Sequence, residues 1–283
     1  MQRTVRRLTL ADLEVANAIT MAAYQLESSR EVELRRYLAL QPDGWRLVLL
    51  DGQPVAVGGS IDYGPFSYIG LVGVLPGMQR HGLGICLMQS LLARAEEQRC
   101  SSLLLDASDA GVGLYEKLGF VEEDKTLLLG RSGPKVCLRT LPEGISELEE
   151  HEIPQLVSFD VPYFSAERGR VFQRLLQEYP GRAFISRGST GKISGYLFAQ
   201  ARTIGPWVAR TSIEAEKLLI AGLAQEFEGN GAIVTLSPNN TEALALLNNY
   251  GFQQKRQLSH MRFGKELPRQ RSHIYGQGSL SLG

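Results

Sequence analysis

The chain has 283 residues, of which 43% are hydrophobic and 21% charged, which is enough for two globular domains of about 100 to 150 residues each. Thirty basic and thirty acidic residues cancel, so no global charge recruits nucleic acid or an anionic membrane. The apolar runs are shorter than a membrane span, and no signal-peptide core follows the basic residues 1–7, so we expect a cytoplasmic protein. Neither the three cysteines nor the histidines have metal-ligand spacing, which predicts no bound metal.

Hydrophobic periodicity and turn signals predict an ordered series of elements in the first half of the chain. In chain order they are a strand over 4–10, a helix from 11, a helix over 31–38, hairpin strands over 45–50 and 54–63 joined by Asp51-Gly52, a strand over 68–74, a helix over 85–97, a strand over 102–106, a short helix ending in 115–120, and a strand over 124–129. This order predicts a mixed sheet with helices on both faces.

The turn between the strand over 68–74 and the helix after it is the most informative feature. Gly82 and Gly84 leave backbone amides open at a helix N-terminus, where the helix dipole places about half a positive charge. Arg80 and His81 add basic side chains beside those amides. The turn therefore predicts a diphosphate site. It has neither the third glycine of a dinucleotide fingerprint nor a Gly-Lys-Ser/Thr, which argues against a dehydrogenase or kinase.

The second half of the chain partly repeats the first. A polar segment over 130–135 marks the predicted boundary between a catalytic domain, 1–135, and a second domain, 136–283. Ile69 and Phe120 are 51 positions apart, and their counterparts Ile204 and Phe252 are 48 apart. We therefore expect an internal duplication. The second copy has Leu247 in place of Tyr115 and no Gly-x-Gly turn, so it is predicted to have lost the phosphate site.

Two motifs resemble those of the GNAT superfamily of acetyl-CoA-dependent N-acetyltransferases. The run Gln79-Arg80-His81-Gly82-Leu83-Gly84 fits the pattern Arg/Gln-x-x-Gly-x-Gly/Ala, and Tyr115-Glu116-Lys117-Leu118-Gly119-Phe120 resembles the second motif. The run over 105–115 also resembles a bacterial two-domain subgroup with a degenerate second unit over 140–265. The resemblance implies an α+β, or mixed α/β, fold with tandem GNAT-like domains, each a twisted, mainly antiparallel mixed sheet flanked by helices.

The resemblance also implies a reaction and a site. Acetyl-CoA is the implied co-substrate, with direct transfer of its acetyl group to the primary amine of a small molecule through a tetrahedral intermediate. Tyr115 matches the tyrosine that protonates the departing sulfur. The implied cofactor-binding residues are Val72, Gly73 and Val74, whose backbone binds pantetheine and polarises the thioester carbonyl, and Gln79, Arg80, His81, Gly82, Leu83, Gly84 and Ile85, which bind the diphosphate.

Acceptor-side residues are less clearly marked in the sequence. The candidates are Asp62, Tyr68, Asp106 and Trp207, with Asp160, Tyr163 and Arg168 as further wall residues of the second unit, which is expected to cover the acceptor side. Each also has a structural interpretation: Asp62 and Tyr68 as surface or hairpin residues, Asp106 as a helix cap, and Trp207 as core.

Two other functions stay open. One is a non-catalytic acyl-CoA-binding sensor that signals to a partner, and the other is a transferase directed at peptides or proteins. Intact Gly82, Gly84 and Tyr115 favour the enzyme. No nucleic-acid or membrane partner is expected, and a homodimer stays open.

Overall fold

The computed structural model describes residues 2–283, the side chain of residue 230 apart. The chain divides into two compact units. The first comprises the chain up to Val121 together with Met261–Glu266, and the second comprises Glu122–His260 together with Leu267–Gly283. By packing, the strand over 121–132 counts mostly with the second unit, whereas the domain boundary predicted from the sequence lies at 135/136.

The first unit contains every predicted element up to the short helix that ends in 115–120, with shifted ends, whereas the strand predicted over 124–129 lies in the second unit. Its elements are β1 (Arg3–Arg7), α1 (Leu13–Tyr24), α2 (Glu31–Leu40), β2 (Trp45–Leu50), β3 (Gln53–Asp62), β4 (Ser67–Val74), α3 (Leu83–Glu97), β5 (Ser102–Ala107) and α4 (Asp109–Lys117). Strands β1 to β4 pair antiparallel in chain order, and β4 pairs with β5 in parallel. The mixed sheet expected from the sequence is confirmed.

Turn residues adopt the backbone that their turns require. Asp51 and Gly52 have φ values of 48° and 81°, the left-handed pair of a two-residue hairpin between β2 and β3. Gly119 has a φ of 89° just past α4, where a glycine in the left-handed conformation ends the helix. These local signals therefore set the connections on both sides of the candidate site.

The second unit repeats the element order of the first. Its elements are β6 (Val121–Ser132), β7 (Ile145–Glu147), α5 (Ile153–Phe164), α6 (Gly169–Glu178), β8 (Ala183–Arg187), β9 (Ile193–Ala199), β10 (Ile204–Ala209), α7 (Ser212–Leu223), β11 (Gly231–Leu236), α8 (Thr241–Asn249), β12 (Gln253–Gly264) and β13 (Ile274–Gly276). The first residue of β6 and the last four residues of β12 count with the first unit. From β7 to β12 the order is strand, two helices, three strands, helix, strand, helix, strand, as from β1 to β6. This confirms the duplication and adds α5 and α6, which the sequence interpretation did not assign.

Two predicted segments differ from the structure. The polar segment over 130–135 is not all loop, because Gly130, Arg131 and Ser132 pair with β11 at the end of β6. Ladder hydrogen bonds override the turn-forming composition there, and the aliphatic stem of Lys255 covers Gly130. The apolar pattern over 213–227 predicts a helix that reaches Phe227, but α7 ends at Leu223, and the chain beyond it turns so that the Glu228 amide bonds with the Ala201 carbonyl.

Separate apolar cores support the two units. In the first, α3 packs on the sheet through Met88 and Leu91 against Ile69 and Leu105. This packing fixes the N-terminus of α3 beside the end of β4, where the candidate site lies. The second unit has its own core, in which Trp207 is fully buried.

Candidate active site

Strands β4 and β5 separate part of the way along their length. Their parallel register joins Ser67 to Leu103 and Tyr68 to Leu104, and the ladder ends there. Beyond these pairs β4 continues to Val74 while paired with β3 on its other side. Its second half, which includes the candidates Val72, Gly73 and Val74, therefore has backbone groups that are not used by β5 within the described residues.

A bulge interrupts β4 in the same segment. The register between β3 and β4 shifts so that Gly58 faces both Leu71 and Val72. Leu71 has a φ of 52°, in the left-handed region that leucine rarely adopts. The bulge re-aims the backbone at the point where the two strands part.

The turn after β4 brings exposed backbone to the start of α3. Arg80 and Gly82 have φ values of 64° and 71°, and the first helical hydrogen bond runs from the Cys86 amide to the Gly82 carbonyl. The amides of residues 83–85 precede that bond and point out of the helix end. Buried Leu83 anchors the helix, and Ile85 is 38% exposed. The turn is thus built to accept an anion at its helix end.

Side chains fold back over this turn. The side-chain amide of Gln79 donates a hydrogen bond to the backbone carbonyl of Val74 at 3.3 Å. The His81 ring Nδ1 lies 2.9 Å from the backbone carbonyl oxygen of Gln79. Gln79, Arg80 and His81 are all exposed. The structure therefore brings the candidates from Val72 to Ile85 together in one continuous segment.

The two glycines serve different needs. A Cβ on Gly82 would lie 3.3 Å from Nη1 of Arg3, and its φ is unfavourable for other residues. A Cβ on Gly84 would lie 3.2 Å from Cδ2 of Leu114, so Gly84 allows α4 to pack closely on α3. Gly82 thus allows the backbone conformation of the turn. Gly84 allows α4, which bears Tyr115, to lie close to the turn.

Arg3 is a site residue that the sequence interpretation missed. Its exposed guanidinium lies over Gly82, with Nη1, Cζ and Nη2 all within 4 Å of the Cβ position. Together with Arg80, it places positive charge around the open amides of α3. The basic start of the chain was the available signal, but only the sheet register shows which of its arginines reaches the turn.

Tyr115 lies on α4 with its ring in the first core. It is 8% exposed, and its ring packs edge-on against Phe120 with centroids 5.8 Å apart. A Cβ on Gly111 would lie 3.0 Å from Cε2 of Tyr115, so the glycine makes room for the ring. Burial, and to a lesser extent Tyr24, raises the pKa of the Tyr115 hydroxyl well above 10. The phenol is therefore neutral at pH 7 and can donate a proton.

Two of the acceptor-side candidates, Tyr68 and Asp106, are hydrogen-bonded to each other, and a third, Asp62, stabilises a turn. The Tyr68 hydroxyl donates to Oδ2 of Asp106 at 2.5 Å, with Tyr68 fully buried and Asp106 half-buried. Asp106 does not cap α4, since Ser108 is the N-cap residue. The Asp62 carboxylate accepts a hydrogen bond from the Gly64 amide at 2.8 Å and stabilises the turn after β3.

The second unit lacks the phosphate turn for a clear physical reason. Thr211 caps α7 by accepting a hydrogen bond from the Glu214 amide, and its hydroxyl donates to the Glu214 carboxylate. The helix end is thus occupied by its own side chains, including a negative charge. Leu247, at the position of Tyr115, is fully buried.

Other candidates in the second unit lie in its interior. Trp207 has no exposed surface and packs against Tyr275 with ring centroids 5.0 Å apart. Arg168 pairs with Asp160 through two hydrogen bonds of 2.7 and 2.9 Å, and each side chain is 1% exposed. These placements fit core residues.

The part of the chain that the structure describes contains neither a metal-binding cluster nor a membrane-spanning helix. No group of three or more His, Cys, Asp or Glu side chains within residues 2–283 is placed to hold a metal ion. Over the same residues, no helix is both long enough and apolar enough to cross a membrane.

A bulged strand that parts from its neighbour, a glycine turn at a helix end and a buried tyrosine on the following helix define an acyltransferase fold. Two family models match the chain: the acetyltransferase (GNAT) family over residues 9–120 and an acetyltransferase (GNAT) domain over residues 156–276. The chain therefore belongs to the GNAT acetyltransferases and carries two GNAT domains in tandem. Acyl transfer is the general chemistry of this family, and acetyl-CoA is its usual acyl donor.

Solved structures share this architecture. A proposed acetyltransferase from Pyrococcus horikoshii is 26% identical, with a TM-score of 0.88 over 99% of this chain and 96% of that one. A GCN5-related N-acetyltransferase from Sphaerobacter thermophilus is 16% identical, with a TM-score of 0.71 over 94% and 98% of the two chains. A tandem GNAT protein from the clavulanic acid biosynthesis pathway is 14% identical, with a TM-score of 0.64 over 93% and 98%. No curated protein sequence matches the chain.

Proposed function

We propose that the first unit transfers the acetyl group of acetyl-CoA to the primary amine of a small molecule, and that the second unit has no acyl-CoA site of its own. The observation that carries the proposal is the continuous segment from the β4 bulge to the open N-terminus of α3, with Arg3 above it. Its counterpart in the second unit is capped by Thr211 and Glu214.

The proposed roles follow from chemistry along this segment. The amides after Gly82, with Arg3 and Arg80, bind the diphosphate, because open amides and guanidinium groups suit phosphate oxygens. Backbone groups of Val72 to Val74 bind the pantetheine arm and polarise the thioester carbonyl. The glycine turn and the buried residues beneath it thereby present the thioester carbon to an amine.

Tyr115 is the proposed proton donor to sulfur. The neutral amine attacks the thioester carbon, a tetrahedral intermediate forms, and its collapse breaks the carbon–sulfur bond. Tyr115 gives its proton to the departing sulfur, and the proton lost from the amine nitrogen restores the Tyr115 hydroxyl, so the products are the amide and free coenzyme A. The raised pKa of Tyr115 keeps its hydroxyl protonated, so the hydroxyl can donate a hydrogen bond to the sulfur as negative charge develops there.

Two variants and a matched control test this proposal. Thermal stabilisation by acetyl-CoA and thiol release across a panel of small amines and short peptides are measured for the wild type, Gly82→Glu, Tyr115→Phe and Gly77→Glu. Gly82→Glu places a carboxylate in the phosphate turn and should abolish stabilisation. Gly77→Glu adds the same charge to an exposed position of the same loop with no neighbour within 4 Å, and should retain it.

Tyr115→Phe should bind acetyl-CoA normally and release thiol at least about 100-fold more slowly, as expected for the loss of a general acid. Stabilisation of the wild type without thiol release from any amine would favour the sensor, and release from peptides alone would favour a peptide-directed transferase. No stabilisation of the wild type would overturn the acyl-CoA assignment.

A further inference from the structure

The bulge in β4 needs an external support. Leu71 sits at a φ of 52°, which costs about 1 kcal/mol or more for a residue with a side chain, and such strain persists only where the surroundings enforce it. On the β3 side, Gly58 leaves room for it, since a Cβ there would lie 3.1 Å from the Val72 Cα. The opposite support comes from α1.

The last turn of α1 presses directly on the bulge. Tyr24, the final residue of α1, donates a hydrogen bond from its hydroxyl to the Val72 carbonyl at 2.9 Å. A Cβ on Gly73 would lie 3.0 Å from the Cβ of Ala23 and 3.6 Å from the Tyr24 ring. The glycine therefore permits the close approach, and the hydroxyl satisfies a carbonyl in the bulge.

Holding one carbonyl orients the backbone around it. The Val72 carbonyl and the Gly73 amide belong to one planar peptide unit, so a hydrogen bond that fixes the first also fixes the direction of the second. The same segment is proposed above to polarise the thioester. Tyr24 also lies near enough to Tyr115 to raise its pKa, which places the support beside the proposed proton donor.

We propose that Tyr24 is a positioning residue of the acyl-transfer site: its hydrogen bond to Val72 fixes the β4 bulge in the orientation that polarises the thioester carbonyl. This inference rests on the proposed function. Tyr24 acts through the backbone of Val72 and Gly73 and takes no part in bond making or proton transfer. A side chain that only packs against the sheet would support folding without affecting the carbonyl of the bound thioester.

Infrared difference spectroscopy of acetyl-CoA labelled with ¹³C at the acetyl carbonyl tests the inference without an acceptor amine. In the wild type, the carbonyl band of the bound thioester should lie below its frequency in solution. In Tyr24→Phe, which keeps the ring against Gly73, the band should move back toward the solution value while the Kd for acetyl-CoA changes by less than about 3-fold. An identical band in both proteins, or no shift in the wild type, would overturn the inference.

Kinetics give a second readout. Once an acceptor is found, kcat of Tyr24→Phe should fall about 10- to 100-fold, as expected for a misplaced reacting group, with the KM for acetyl-CoA nearly unchanged. Tyr250→Phe, which removes a tyrosine hydrogen bond to Glu216 in the second unit, is the matched control and should leave kcat unchanged. An equal fall in both variants would also refute a role specific to Tyr24.

A second variant covers the case in which Tyr24→Phe does not fold. Gly73→Ala pushes a methyl group against Ala23 and disturbs the same contact from the strand side while keeping the hydroxyl. It should shift the carbonyl band in the same direction, and an unshifted band would count against the inference. If the wild type does not bind acetyl-CoA at all, the proposed function fails instead, which the binding isotherm shows separately.

Discussion

The Tyr68 hydroxyl donates a 2.5 Å hydrogen bond to the Asp106 carboxylate and so links the beginning of β4 to the end of β5. Tyr68 is in the last register pair of the parallel ladder, with Leu104. The bond therefore closes the two strands at the place where they begin to part. Because Tyr68 is fully buried, it joins the core of the sheet to a half-buried carboxylate near the proposed site.

Removing this hydroxyl should reduce stability. Tyr68→Phe is expected to lower the free energy of unfolding by about 1.5 to 3 kcal/mol, because a hydrogen bond to a charged group is lost in a buried place. Asp106→Asn keeps an acceptor oxygen and should cost less. Urea denaturation of both variants measures the difference, with Tyr250→Phe as the control at an exposed hydrogen bond. Equal, small losses in all three would show that the Tyr68 bond adds no stability.

Arg3 should contribute to the binding of acetyl-CoA only through the phosphate groups of the ligand. For Arg3→Ala, the Kd for acetyl-CoA should rise about 5-fold at low salt, the effect of one exposed ion pair worth about 1 kcal/mol. S-acetyl-pantetheine, which has no phosphate, should bind both proteins equally. Titration calorimetry with the two ligands measures this, and the difference should shrink as salt is added.

Arg7→Ala is the matched control for Arg3→Ala. Arg7 is exposed on the same strand and, four residues on, lies on the same face as Arg3, so its loss changes the net charge equally. It is expected to leave the Kd for acetyl-CoA unchanged. A similar rise for both variants would indicate a general charge effect and would remove Arg3 from the phosphate site.

The pH profile of thiol release should show no loss from titration of Tyr115 below about pH 9.5. Burial raises the pKa of this phenol above its usual value near 10, so the donor proton remains bound throughout the working range. The rate should instead rise with pH as the acceptor amine loses its proton. A stopped-assay profile from pH 6 to 9.5 checks this, and a falling limb near pH 8 that Tyr115→Phe abolishes would contradict it.

The same shift in pKa affects stability only in alkali. In the unfolded chain Tyr115 ionises near pH 10, whereas in the folded protein it ionises at higher pH. Its contribution is therefore fully present below about pH 10 and is lost as pH rises above that value. Between pH 8 and pH 10.5 the wild type should therefore lose more unfolding free energy than Tyr115→Phe, and urea unfolding of both proteins at the two pH values measures this loss.

Local sequence signals predicted the turns of the first unit. The contacts between distant residues depend on strand register, which these signals do not give. The hairpin at Asp51-Gly52 and the turn at Gly82 depend on residues that are neighbours in the chain. The approach of Arg3 to Gly82 joins positions 79 residues apart and follows from the pairing of four strands and the packing of α3. Periodicity carries no information of this kind, so Arg3 was not predicted.

The bulge was missed for a related reason. The sequence predicts one strand over 68–74. Its glycines, Gly70 and Gly73, are residues that often mark a bulge, but nothing in the run marks Leu71 for a positive φ. The conformation results from contacts with Gly58 on one side and Tyr24 on the other. The burial of Asp160 and Arg168 could not be predicted either. Two charged residues eight positions apart look the same in the sequence whether they form a buried ion pair or lie separately on the surface.

That ion pair should be essential to the stability of the second unit. Arg168 donates to both oxygens of Asp160 and to the Tyr196 hydroxyl, and its guanidinium lies 3.9 Å from the centre of the Phe164 ring. Arg168→Met should lower the free energy of unfolding by about 3 to 5 kcal/mol, because Asp160 would be left as a buried charge without its partner.

Two further variants separate the cost of an unpaired charge from the loss of packing. Arg170→Met removes an exposed arginine from the first turn of α6, two residues after Arg168, and should change stability by less than about 0.5 kcal/mol. The double variant Asp160→Leu with Arg168→Met removes both charges and should recover a large part of the loss, because an apolar pair of similar volume needs no compensation. Denaturant unfolding of the three variants measures these differences. If the double variant were less stable than Arg168→Met alone, the ion pair would be stabilising through its packing and hydrogen bonds rather than by neutralising Asp160.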